Sequence, residues 1–228
     1  MAKASNKQLN PYVDTPHKQV EEAFKIVRTN LLFTIAALKK KSILVTSAES
    51  GAGKSTVVAN IALALSKTGS RVVIVDADMR KATQHRIFGV SNENGFSQML
   101  ITQENSDPVP VVLENVAENL YLFPSGPIPP NPAELLGTDR VARFLSTMLD
   151  SYDYVLVDAP PINLVADSLV LTEVVGGTLL VVRQKQTQYE EITRMIQVLG
   201  ERNAKIVGAV VTDVNRKNKV ARKHRYSS

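Results

Sequence analysis

The sequence predicts an α/β fold, a parallel β-sheet flanked by helices, and three observations carry that reading. Strand-like runs at Ile43 to Val45, Arg71 to Val75, Asp153 to Val157, Gly177 to Val182 and Ile206 to Val211 alternate along the chain with stretches of helical spacing. Most of these runs are apolar at successive positions, as strands covered by helices on both faces must be. The first run breaks into a small-residue loop that ends in Gly53-Lys54-Ser55-Thr56 and leads straight into a helix.

Taken in order, residues 1–16 are polar and mixed and read as an extended arm. From Val20 to Leu38 apolar residues recur at Ala23, Phe24, Val27, Leu31, Ile35 and Leu38, which predicts an amphipathic helix. Its charged face, with Glu21, Glu22, Lys25 and Arg28, is either solvent-exposed or an oligomer contact. After the phosphate-type loop, Val57 to Leu65 continues as a helix, and Lys67-Thr68-Gly69-Ser70 stops it. The second strand ends in Asp76-Ala77-Asp78-Met79-Arg80. Gly95 to Leu100 reads as a short helix and Asn119 to Pro124 as a strand. Ser125 to Pro132 is a stiff connector, because its prolines lack backbone donors. Ala133 to Leu136 and Asp139 to Leu149 read as helices, the second with Thr138 as N-cap. The next strand ends in Asp158-Ala159-Pro160-Pro161. A short helix at Asp167 to Val175, a strand from Gly177, a helix at Tyr189 to Leu199 and the strand from Ile206 complete a domain spanning 17–215. Residues 216–228 form a basic tail that contains Tyr226.

The loop order has a chemical logic. A strand delivers the chain, and small residues at Ser50, Gly51, Ala52 and Gly53 let backbone N–H groups converge on phosphate oxygens. The helix beginning near Lys54, Ser55 and Thr56 adds its positive end. Lys54 reaches the β/γ-phosphates and Ser55 can ligate Mg²⁺. Ala48 stands where the strict pattern has its first glycine, but the flanking strand and helix support the motif over a turn that holds no phosphate. Carboxylates just beyond the strand ends, at Asp76, Asp78 and Asp158, lie where open α/β sheets place their ligands. Asp158 can hold Mg²⁺ through water.

Composition narrows the class. At 228 residues with 44% hydrophobic side chains, the chain can build a full core. It has no run of about 18 apolar residues and no apolar leader, so a cytoplasmic location is expected. The absence of cysteine excludes disulfides and thiolate metal sites. His17 and His85 have no partner at ligand spacing. The net charge of +5 is concentrated in Lys39-Lys40-Lys41 and from Arg216 to Arg225. These basic runs are either solvated or held near an anionic membrane or acidic partner. No aromatic residues interleave with them, so nucleic-acid binding is not expected.

Together, the loop Ala48 to Thr56, Ile74 to Arg80, Asn131-Pro132-Ala133-Glu134-Leu135-Leu136 and Val155 to Pro161 resemble the bacterial tyrosine kinases encoded with capsule and exopolysaccharide synthesis. These are P-loop NTPases of the deviant Walker group. The resemblance covers Glu21 to Val211. Relatives that position septa and partition plasmids carry a signature Lys at the place of Glu49. The resemblance implies transfer of the ATP γ-phosphoryl group to tyrosine, with ATP and Mg²⁺ as cofactors. It assigns Lys54 to the β/γ bridge, Ser55 to the metal, Asp78 and Asp158 to its waters, and Asp76 to orienting or deprotonating the tyrosine hydroxyl, a role that Asp78 could share. Arg80 is expected to steady the acidic pair or touch phosphate. Glu22, Lys25 and Arg28 match an E-x-x-R-x-x-R oligomer contact in which Lys replaces the middle Arg, implying a homo-oligomeric ring. Val211-Thr212 stands where the family has Leu-Asn near the base. Where the family has a cluster of tyrosines the tail offers Tyr226 alone, so either Tyr226 is the phosphoacceptor or the substrate tyrosines lie on another protein. Tyr152 and Tyr154 are expected to serve packing. The implied partners are the cytoplasmic end of a transmembrane polysaccharide co-polymerase adaptor, which recruits the kinase to the inner face of the plasma membrane, and an opposing tyrosine phosphatase. The rival readings are a nucleotide-switch ATPase and a nucleotide-binding scaffold without tyrosine transfer.

Overall fold

The computed structural model describes residues 18–102, 110–113 and 116–214. The proposed arm, the basic tail and Tyr226 lie outside them. In chain order the elements are α1 (Lys18–Ile35), β1 (Ser42–Ser47), α2 (Lys54–Ser66), β2 (Val72–Asp76), α3 (Gln84–Phe88), α4 (Phe96–Ile101), β3 (Val111–Val112) and β4 (Leu120–Phe123). They continue with α5 (Pro132–Leu136), α6 (Asp139–Ser151), β5 (Tyr154–Asp158), α7 (Asp167–Thr172), β6 (Gly177–Arg183), α8 (Tyr189–Glu201) and β7 (Ile206–Thr212). The strands form one sheet in the order β3-β4-β2-β5-β1-β6-β7. Every pairing is parallel except that of β3 with β4.

The pleat divides each central strand between two cores. Ile43 and Val45 of β1, Val72 and Ile74 of β2, and Leu156 of β5 face a cluster built with Leu31 and Ile35 of α1 and Val57, Val58 and Ile61 of α2. Leu44, Val73, Val75, Val155 and Val157 point the other way, onto Phe96 of α4, Leu136 of α5 and Phe144, Leu145 and Met148 of α6. Phe144 packs edge-on against Phe123, with ring centroids 5.0 Å apart. A smaller cluster seats Met195 and Leu199 of α8 against Leu180 of β6. Because α2 lies between the sheet and α1, almost its whole circumference is buried, which explains its unbroken apolar run.

The boundaries depart from expectation in several places, among them α7, which ends at Thr172 instead of Val175. α1 ends at Ile35, and Leu38 belongs to a following turn whose amide bonds the Ile35 carbonyl. The connector gives up Pro132, which opens α5 at a position where its missing N–H costs nothing. Thr138 occupies the N-cap position of α6, but its hydroxyl donates to the Leu135 carbonyl at 2.8 Å instead of accepting from a helix amide. The short elements α3 and β3 were not expected. Tyr152 and Tyr154 do serve packing: Tyr152 meets Tyr121 edge-on at 4.9 Å, and Lys41 lies 5.5 Å from the Tyr154 ring centroid.

Gly176 pins β6 to β1. Its N–H faces the Ser42 carbonyl at 2.9 Å and the Ser42 hydroxyl at 3.0 Å. A Cβ here would overlap the backbone oxygen of Lys40, which cannot swing aside as a flexible side chain can. Gly176→Ala is therefore expected to destabilise the fold by about 1–3 kcal/mol, measured by denaturant unfolding. An unchanged midpoint would contradict this packing.

Candidate active site

The phosphate-type loop leaves β1 at Ser47 and enters α2 at Lys54. It turns through two glycines with left-handed backbones, Gly51 at φ 81° and Gly53 at φ 90°, conformations that other residues adopt only at a cost. Two neighbouring strands grip its carbonyls. Arg183 of β6 donates Nη1 to Gly51 O at 3.1 Å, and Thr212 of β7 donates its hydroxyl to Ala52 O at 2.9 Å. Arg183 is itself held by Asp213, Nη2 to Oδ2 at 2.6 Å. The loop bounds a cavity of about 250 Å³ lined by Ser50, Gly51, Gly53, Lys54, Ser55, Thr56, Asp78, Lys81 and Thr83.

The carboxylates reach this region from two adjacent strands. β2 and β5 pair with Asp76 directly opposite Asp158, and β5 lies beside β1, which delivers the loop. Asp76 and Asp158 are fully buried, whereas Asp78 lines the cavity. Asp76 Oδ2 accepts the main-chain N–H groups of Thr83 and Gln84 at 3.0 and 2.9 Å. Asp158 Oδ2 accepts from Gln84 Nε2 at 2.7 Å. The second oxygen of each, Oδ1, is buried without a hydrogen-bond partner among the described residues. Asp78 Oδ1 accepts from the Lys81 amide at 3.0 Å.

Comparison with known proteins decides the family. A family model described as an AAA domain matches residues 40–207. The putative tyrosine-protein kinase CapB of Staphylococcus aureus is 36% identical over 87% of this chain and 86% of its own length. Tyrosine-protein kinase YwqD of Bacillus subtilis is 34% identical over 92% of this chain and 88% of its own length. The chain belongs to the bacterial tyrosine-protein kinases. The kinase domain of Escherichia coli ETK superposes with a TM-score of 0.84 at 30% identity, covering 93% of this chain and 85% of that one. The chimerical protein CapA2B2 gives 0.81 at 34% identity, covering 88% of each chain. The septum site-determining protein MinD of Pyrococcus horikoshii, at 22% identity and a TM-score of 0.63 over 75% of this chain and 69% of that one, shares the fold.

Within this kinase both paired carboxylates are shifted upward, chiefly by burial. Burial, reinforced by the charge of Asp158, holds Asp76 well above the usual carboxylate range, against the pull of the Gln84 and Thr83 amides. Burial pushes Asp158 up to about 6, while the nearby Ser55 hydroxyl, Lys54 and Gln84 draw it back down. Two acids that resist joint ionisation, facing a lysine that is itself 7% exposed, form a site short of positive charge.

The expected residues do not all converge. Lys54, Ser55, Asp76, Asp78 and Asp158 come together. Arg80 instead reaches across to α7, where Nε and Nη2 grip the two carboxylate oxygens of Asp167 at 2.9 and 3.2 Å. It does not line the cavity, although the charge of Asp78 also acts on it. On α1, Lys25 pairs with Glu22 at 2.7 Å on the exposed face, while Arg28 is turned inward to the Ala64 carbonyl at 3.0 Å. Thr212 lines a second cavity of about 450 Å³ beside the loop, largely apolar, with Val20, Phe24 and Val27 of α1 as its wall. Its hydroxyl proton is committed to the loop. Gln84, Asp167 and Arg183 were not singled out from sequence. Their contacts span 74, 87 and 132 residues, and no local pattern encodes them.

Proposed function

We propose that this kinase transfers the γ-phosphoryl group of ATP to tyrosine within a capsular or exopolysaccharide system. The phosphates would lie in the loop cavity and the base in the apolar groove against α1. The observation that carries this reading is the in-register pair Asp76 and Asp158, each with one bare buried oxygen, at the mouth of the strand next to Lys54. Phosphoryl transfer asks mainly for positioning and charge neutralisation. The amides from Ser50 to Thr56 bind phosphate oxygens, and Lys54 counters charge at the β/γ bridge. The all-oxygen donors Ser55, Asp78 and Asp158 suit a hard cation, and the orphaned Asp158 Oδ1 gives a water of that ion an acceptor. Bound there, Mg²⁺ supplies further neutralisation of the transferring group. Asp76 orients the tyrosine hydroxyl and takes its proton. Arg80 acts through Asp167, bracing the acidic turn against α7.

The proposal extends to partners. The chain matches nearly the whole of CapB and YwqD but only 28% of the length of E. coli etk. The proposed partner is the cytoplasmic end of a transmembrane polysaccharide co-polymerase adaptor, at the inner face of the plasma membrane. The described residues contain no helix long and apolar enough to cross a membrane. Exposed Glu22 and Lys25 are available to a neighbouring copy in a ring, and Arg28 joins them by releasing Ala64. Tyr226 is the proposed acceptor, and a tyrosine phosphatase opposes the reaction.

The test is incubation with γ-labelled ATP, with and without the adaptor tail, following phosphotyrosine and free phosphate. Label on Tyr226 or on an added protein tyrosine is expected. Free phosphate alone would replace the proposal with a nucleotide switch, and neither product would replace it with a scaffold.

A further inference from the structure

We propose that Gln84 is a positioning residue of this site, whose side chain aims Asp158 at a magnesium ion and its waters while its main-chain N–H holds Asp76. The inference rests on the reading of the site given above. Gln84 opens α3 and is fully buried. Its side-chain Nε2 donates to Asp158 Oδ2 at 2.7 Å and to the Ser55 carbonyl at 3.1 Å, and its main-chain N–H donates to Asp76 Oδ2 at 2.9 Å. One residue thus joins the ends of β5 and β2 to the first turn of α2, next to Lys54.

The neighbours fix the orientation of the amide. With its nitrogen and oxygen exchanged, a carbonyl oxygen would face a carboxylate and a backbone carbonyl with no hydrogen between them. A primary amide suits the position for two reasons. It carries two N–H groups on one atom, so it serves both acceptors at once. It is also uncharged, so it holds Asp158 without neutralising the charge that a cation needs. A lysine here would compete with the metal, and a glutamate would add a fourth carboxylate to Asp76, Asp78 and Asp158.

The consequence shows in what is left bare. In both Asp76 and Asp158 the Oδ2 oxygen is tied to Gln84, and in both the Oδ1 oxygen has no partner among the described residues. A carboxylate with one oxygen held cannot swivel, so the other keeps its direction. Groups that orient a metal's ligands in this way usually contribute strongly to metal affinity.

Gln84→Met tests this, since it keeps side-chain length and loses both side-chain N–H donors, while the main-chain bond to Asp76 stays. Mg²⁺ is titrated into the full chain holding a fluorescent ADP analogue, and the affinity for the same analogue is measured in EDTA. The Mg²⁺ concentration at half-effect is expected to rise by about tenfold or more, with affinity in EDTA unchanged. An unchanged Mg²⁺ midpoint would overturn the proposal. So would an equal loss of affinity in EDTA, which would make Gln84 a prop of the loop alone. If Gln84→Met does not fold, Gln84→Asn, one methylene shorter, is held to the same two criteria. If the unaltered chain shows no Mg²⁺ effect, or Lys54→Met binds the analogue as well as the unaltered chain does, the reading of the site falls and the proposal with it.

Discussion

Lys54→Met is expected to lower phosphotyrosine formation by roughly 10²- to 10³-fold or more at saturating ATP, with the fold intact. Lys54 is the first residue of α2 and is nearly buried, so its ammonium is held where a phosphate would arrive and little water shares the task. Methionine matches its length and apolar stem, so the packing around it survives. What disappears is the positive charge that opposes Asp76, Asp78 and Asp158 and the charge developing on the transferred group. Label incorporation with time, beside a far-ultraviolet circular dichroism spectrum, measures the effect. Transfer within about tenfold of the unaltered chain would reject the assignment of Lys54 to the phosphates.

Asp158→Asn is expected to make the metal-free kinase more stable at pH 8 while disabling it. Burial raises the Asp158 pKa to about 6. An acid with a higher pKa in the folded state than in the unfolded chain binds more protons when folded. Its contribution to stability therefore falls as pH rises from its unfolded value to about 6, and is constant above. The difference amounts to a penalty on the order of 3 kcal/mol at neutral pH and beyond. Asparagine keeps an oxygen to accept from Gln84 and carries no charge to bury. The variant's unfolding midpoint should exceed that of the unaltered chain by roughly 5–10 °C at pH 8, and the two should converge towards pH 4. A lower midpoint at pH 8, or a gap independent of pH, would contradict the electrostatics described for the pair. Mg²⁺ together with ADP should close the gap by stabilising only the unaltered chain.

Asp158 was legible from sequence because it ends an apolar strand, and Lys54 because it closes the small-residue loop that follows one. β1, β2 and β5 are covered on both faces, so they read as continuous apolar runs, and the polar residue closing each run marks the sheet edge. The phosphate-type loop was legible for the same reason. What was not legible is short or distant. β3 has two residues, too few for an alternating pattern, and α3 has five, little more than one turn. The partner of Arg80 lies 87 residues away, on a helix whose first acidic residue looked like ordinary helix-start chemistry. Nearness in sequence pointed to Asp76 and Asp78 as the partners of Arg80, and Asp78 does act on its charge, but its hydrogen bonds go to a buried carboxylate on another element. Thr138 shows the same limit at close range: its position was right, and the direction of its hydrogen bond depended on where α5 had ended.

The grip of Arg183 and Thr212 on the loop has one more consequence. Both bonds end on carbonyl oxygens, at Gly51 and Ala52. A peptide plane held by its oxygen on one side presents its N–H on the other, so fastening the loop from β6 and β7 also sets the dipoles that a phosphate meets. The guanidinium polarises one of those planes further. In the proposed site the loop is fastened by these two bonds, so capture of a nucleotide would not have to begin by ordering it. Association should then be governed by encounter and by the loss of phosphate hydration, with little of the slow rearrangement that an unfastened loop would impose.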